Sequence, residues 1–171
     1  SVSAFLLNRS SDLQSCSDWF DVSPKTDVKA EELFETPEGF ESALAGIYIS
    51  LTDEDSYGHD MSFGLIDQLA QLYDRIPDGT TDREAIYQYE QQSDGYYTKS
   101  RLAAIWLKSY NLIANANNLI KWMDKNGTRV LDEQTRNLYY GEAYALRAYL
   151  HFDLLRGWGP MNYQTGKSTL T

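Results

Sequence analysis

Cysteine is almost missing from this sequence: Cys16 stands alone among 171 residues. No internal disulfide can form, and no multi-cysteine metal site can be built. Histidine is nearly as scarce. His59 and His151 have no second histidine or cysteine at ligand spacing, which argues against a transition-metal site. No apolar run approaches the roughly 18–20 residues needed to span a bilayer, so contact with a membrane would require an anchor. Positive charge is short as well. The 15 basic and 25 acidic side chains leave a formal net charge of −10. Such a surface repels phosphate backbones and anionic headgroups, which argues against nucleic-acid partners and polybasic membrane attachment. Catalytic signatures are also lacking. There is no Gly-x-Ser-x-Gly, and nothing pairs a nucleophile with a base. Asp53-Glu54-Asp55 with Gly58 starts like a calcium loop. However, Tyr57 takes the fifth position and Gly64 the twelfth, where a bidentate glutamate is required. Gly166-Lys167-Ser168 ends like a phosphate-binding loop, but Met161 stands where its first glycine belongs. The sequence therefore reads as non-enzymatic, with no catalytic residue, metal or cofactor.

What is present points to helices. Apolar residues make up 42% of the chain, enough for a core, and Tyr dominates the aromatics, 13 against 6 Phe and 4 Trp. Thr36-Pro37-Glu38 supplies an N-cap, a proline at the first helical position and early negative charge. Phe40, Leu44, Ile47, Tyr48 and Leu51 follow as one apolar stripe. A second stripe, Phe63, Ile66, Leu69, Ala70 and Tyr73, predicts another helix that stops before the turn signal Ile76-Pro77-Asp78-Gly79. Residues 76–97 are polar and irregular. From about Thr98 a long helix is expected, with Leu102, Ile105, Trp106, Ile113, Ala116 and Ile120 on its buried face and Trp106 and Tyr110 in the core. Asn126-Gly127 reads as its C-terminal stop. Asp132 then caps a last helix with the stripe Leu138, Ala145, Tyr149, Phe152 and Leu155, closed by Gly157 and Gly159-Pro160. A connection of a few residues makes the last two helices an antiparallel hairpin of roughly 37 Å. Gly141, Ala145 and Ala148 would let a partner helix approach closely. No strand pattern is convincing, so the fold class is all-α. Glu142 and Arg147 are nearly half a turn out of phase and are expected to bond to neighbouring helices rather than to each other. Asn115, Asn117 and Asn118 are read the same way. In the resulting division, 1–24 is a flexible tail and 25–171 a helical domain.

Three blocks carry a resemblance to a known family. Leu13-Gln14-Ser15-Cys16-Ser17-Asp18-Trp19-Phe20-Asp21-Val22-Ser23-Pro24 is similar to a lipobox cysteine followed by an acidic, aromatic and Asp-Val-Ser-Pro stretch. Trp106 to Asn117 resembles the family's W-x-x-x-Y-x-x-I-x-x-x-N, and Gly141 to Gly159 resembles G-E-A-x-x-L-R-A-x-x-x-F-x-L-x-R-x-x-G. In that order and spacing, the blocks resemble the amino-terminal part of the SusD/RagB family of outer-membrane nutrient-binding lipoproteins. The resemblance implies a tetratricopeptide-like helical hairpin bundle with irregular loops. It also implies lipid attachment at Cys16, a cell-surface location in the outer membrane, and a larger carboxy-terminal part that these 171 residues do not include. The implied function is non-enzymatic capture of a nutrient, usually an oligosaccharide, handed to a SusC-like TonB-dependent transporter. Membrane contact would be by the lipid anchor alone.

A sugar site needs aromatic platforms beside carboxylates, amides or guanidinium groups, because a pyranose ring has an apolar face and a hydroxyl rim. Tyr73, Asp74 and Arg75, with Tyr87, Tyr89 and Tyr96 in the following stretch, supply those groups, and the resemblance puts ligand contacts in this region. The competing expectation is a helical protein-interaction adaptor that binds no sugar.

Overall fold

The computed structural model describes residues 30–73, 86 and 96–159, with the backbone alone for 96 and 97. The tail and Cys16, the turn at 76–79 and most of the polar stretch up to 97 lie outside the described residues. The chain divides into two units, Ser1–Leu33 and Phe34–Thr171. The first is described only over 30–33, one helical turn.

All regular structure among the described residues is helical. Helix α1 (Pro37–Leu51) starts where the sequence signals it, with Thr36 Oγ1 accepting from Gly39 N at 3.2 Å and Pro37 in the first turn. Phe40, Leu44 and Ile47 are buried as the stripe requires. The expected second helix is much shorter. α2 covers only Leu65–Leu69, leaving Phe63 before it and Tyr73 after it, both exposed. Its end explains why. Gln71 sits at φ 56°, and its N–H and that of Leu72 donate to Gln68 O (3.0 Å) and Asp67 O (3.1 Å). This is a Schellman ending with glutamine in the left-handed position that glycine usually fills, a conformation costing about 1 kcal/mol.

α3 (Tyr96–Trp122) does not stop at Asn126-Gly127. It continues through a single π-helical turn, Met123–Gly127, and a last α turn, α4 (Thr128–Val130). Gly127 keeps ordinary right-handed angles. A Cβ there would come within 3.3 Å of Arg136 Cδ, a close approach to the flexible side chain of the next helix. The chain then turns at Leu131 and re-enters helix α5 (Glu133–Trp158), whose cap is Asp132 accepting from Thr135 N at 2.9 Å. α3 and α5 run antiparallel, as their cross-helix pairs show. Asp124 meets Tyr140, Asn117 meets Arg147, Tyr110 meets His151 and Trp106 meets Trp158. The expected roles of two polar residues are met: Glu142 accepts from Tyr48 on α1 at 2.9 Å, and Arg147 donates to Asn117 on α3 at 2.9 Å.

The buried face of α5 is not the expected one. Ala143, Leu146, Leu150 and Leu154 are buried against α3, while Leu138, Tyr149, Phe152 and Leu155 are about half exposed or more, at 49–58%. Gly141 has open space beside it, so it brings no helix closer within these residues. α5 carries apolar residues on two faces, and periodicity alone does not say which one α3 takes. Trp106 and Tyr110 likewise meet at a tilt (4.9 Å, 53°) at the rim of the bundle, 38% and 42% exposed, rather than in its core. At the far end of the hairpin, Phe34 stacks on Trp122 (5.3 Å) and tilts against Phe40 (4.9 Å), fastening α1 to α3.

Candidate functional site

The segment between α1 and α2 is where polar chemistry concentrates. Asp53, Glu54 and Asp55 point to solvent, as expected of a helix end. After them the chain folds back through wide turns. Tyr57 N donates to Leu51 O (3.0 Å), Asp60 N to Glu54 O (2.9 Å), Met61 N to Ser56 O (2.9 Å) and Gly64 N to His59 O (2.8 Å). The backbone is thereby satisfied without a helix or strand. Two buried carboxylates pin this loop to the hairpin. Asp60, 2% exposed, accepts two hydrogen bonds from the Arg101 guanidinium of α3, one of them from Nε at 3.0 Å, and lies 2.7 Å from His59 Nδ1. Asp153 of α5, also buried, accepts from the Tyr57 hydroxyl at 2.6 Å and from Arg156 Nη1 at 2.7 Å.

Both anchors show in the proton affinities. Burial alone would raise the Asp60 carboxyl, but hydrogen bonds and charge from Arg101 and His59 outweigh it and hold the group below the ordinary carboxylate range. The Tyr57 phenol is pushed well above its usual value, first by burial and then by its bond to the Asp153 carboxylate. Asp60 is thus a charged anchor and Tyr57 a neutral one.

The loop presents an aromatic surface. The Phe63 ring is 56% exposed and stands edge-on to the His59 imidazole at 5.1 Å. Tyr73 donates its hydroxyl to Phe63 O at 2.8 Å, which ties the strained end of α2 back to the loop. Of the sequence-predicted ligand residues, Tyr73 is the one with a described side chain, and it is 45% exposed in this surface. Asp74, Arg75, Tyr87 and Tyr89 lie outside the described residues, and Tyr96 is described only as the backbone start of α3. Phe63 and His59 were not among the expected ligand residues: spacing assigned Phe63 to the apolar stripe of a helix that proves shorter, and His59 stands alone in sequence until the fold sets it against Phe63. Gly64 closes the arrangement. A Cβ there would collide with both the His59 ring and the Asp60 carboxylate. Gly64→Ala is therefore expected to lower the thermal midpoint by several degrees, on the order of 1–3 kcal/mol of overpacking, readable by circular dichroism. An unchanged midpoint would mean that the loop is slack at this point.

Beside this surface, the loop and the end of α5 enclose a cleft of about 180 Å³, lined by Met61, Ile66, Asp153, Arg156, Gly157 and Trp158. The chemistry available at both places is stacking, hydrogen bonding and salt-bridged charge; no helix among the described residues is long and apolar enough to cross a membrane.

The family described as SusD-like, "Starch-binding associating with outer membrane", matches residues 18–170. The chain is 25% identical over 154 residues to SusD-like protein P2 of Formosa agariphila, a match covering 88% of this chain and 28% of that protein. The chain thus spans less than a third of the length of that relative. No solved structure matches. A family match over nearly the whole chain, on an all-helical hairpin bundle, leads to one conclusion: this chain belongs to the SusD-like family.

Proposed function

We propose that this chain is part of a non-enzymatic glycan-binding lipoprotein of the outer membrane, which captures oligosaccharides and passes them to a SusC-like TonB-dependent transporter. The observation that carries the reading is the exposed aromatic surface of His59 and Phe63, on a loop fixed by two buried carboxylates, and of Tyr73, hydrogen-bonded to that loop from beyond α2. A sugar face needs a flat apolar platform that is already in place, since ordering it on binding would cost affinity. Family membership supports glycans as the ligand and the outer membrane as the location. Lipid attachment would fall on Cys16 and further ligand contacts on Asp74, Arg75, Tyr87, Tyr89 and Tyr96. Two acyl chains or more give stable anchoring, since each buried methylene contributes about 0.8 kcal/mol.

Soluble starch oligosaccharides are expected to raise the melting temperature of the full-length protein, because a ligand that binds only the native state stabilises it. Tyr73→Ala should remove most of that rise while leaving the unliganded midpoint within about 2 °C, as expected of an exposed side chain. A helical adaptor that binds no sugar would show no rise with any oligosaccharide. The intact mass of the protein recovered from its own outer-membrane fraction tests the anchor: lipid on Cys16 supports it, and an unmodified Cys16 overturns it.

A further inference from the structure

The cleft between the 53–64 loop and the end of α5 is separate from the residues from which the sequence reading expects ligand contacts. Its walls differ in kind. Met61, Ile66 and Trp158 are its apolar lining, and Met61 and Trp158 both pack against the cluster of Leu65, Ile86 and Ile105. Trp158 is half-buried and fixed: it packs on the small cluster of Leu65, Ile86 and Ile105, and its ring stands edge-on to Trp106 at 5.4 Å. The polar end holds Asp153 and Arg156. Asp153 is fully engaged by Tyr57 and Arg156, so it brings no bare charge to the cleft. Arg156 is different. Its side chain is 64% exposed and gives Nη1 to Asp153, out of five N–H donors on a guanidinium. Gly157 adds no side chain between them, and open space lies beside it.

A rigid indole, two aliphatic side chains and a half-exposed guanidinium suit a ring with one apolar face and a hydroxyl rim. The volume, about 180 Å³, is below the roughly 300 Å³ at which sites for larger ligands begin. It suits one ring rather than a chain of them. The formal net charge of −10 disfavours polyanions. We infer that this cleft is a subsite for a single neutral pyranose unit, stacked on Trp158 and hydrogen-bonded by Arg156. The inference rests on the glycan-binding reading above and extends it to a second place on the same chain.

The test uses the full-length protein on a printed array of neutral oligosaccharides (α- and β-glucans, mannans, galactans) and uronate oligosaccharides, comparing wild type with Trp158→Ala and Arg156→Gln. Wild type should bind neutral glycans, with apparent affinity falling about tenfold in Trp158→Ala and about threefold in Arg156→Gln. Arg156→Gln guards against misfolding, because that side chain is largely exposed and its loss leaves Asp153 bonded to Tyr57. Wild-type binding that both variants retain in full overturns the subsite and leaves glycan capture standing. Binding to uronates alone overturns the neutral class. Absence of wild-type binding to any printed glycan overturns the subsite together with the function it rests on.

Discussion

Arg101→Met should cost about 3 kcal/mol of stability at neutral pH, read as a drop in denaturant midpoint at unchanged slope. The reason lies in what stays behind. Asp60 is 2% exposed, and without the guanidinium its carboxylate keeps the His59 imidazole as its hydrogen-bonding neighbour. Removing one partner of a buried pair is more damaging than removing both. The double variant Asp60→Leu/Arg101→Met is therefore expected to recover part of the loss. The pH dependence sharpens the expectation. In the wild type the folded Asp60 carboxyl is held below its unfolded value, so its contribution is fully present above about pH 4 and is lost as the pH falls through the folded value. In Arg101→Met, burial is no longer outweighed and the folded value moves upward. The sign then reverses: the variant is least penalised in acid, where Asp60 is neutral. The stability gap between the two proteins should narrow as the pH drops from 7 towards 4. A gap that stays constant would mean that Asp60 is solvated and that the loop is held by something else.

Phe40→Ala is expected to cost the most of any single substitution in α1, about 3–5 kcal/mol. Phe40 is fully buried, and its ring meets Phe34, which in turn stacks on Trp122 of α3. The cavity left behind would be lined by the Phe34 ring and its stacked partner Trp122, rigid rings that collapse poorly. Thermal unfolding by circular dichroism measures it. A loss under about 1 kcal/mol would show that the ring is replaceable and that α1 is held mainly by its polar bonds, Tyr48 to Glu142 and Lys108 to Ser50.

The elements that sequence conveyed best are those whose signals are local. Thr36-Pro37 and Asp132 act as caps because capping depends on a few residues of chain and little else. The hairpin was legible from two long periodic stretches and a short connection. Signals that depend on a partner were misleading. α5 has apolar residues on two faces, and α3 selects the one bearing Leu146, Leu150 and Leu154 over the one bearing Tyr149 and Phe152. Gly127 looked like a helix stop but keeps right-handed helical angles close to Arg136, a residue from the next helix. The candidate site was the least legible part. Tyr73 is an expected ligand residue from its type and its neighbours in sequence, yet the loop to which it bonds depends on ion pairs spanning 41 residues to Arg101 and a hydrogen bond spanning 96 to Asp153. No local pattern encodes pairings of that length.

Glycan capture without chemistry is the central claim, and equilibrium binding tests it most directly. The full-length protein would be titrated with a starch oligosaccharide, and the sugar then recovered and sized by chromatography. Saturable binding is expected, weakened in Tyr73→Ala, with every oligosaccharide returned at its original length. Shortened sugar would contradict the non-enzymatic reading, and absence of saturable binding to this and other neutral glycans would contradict capture itself.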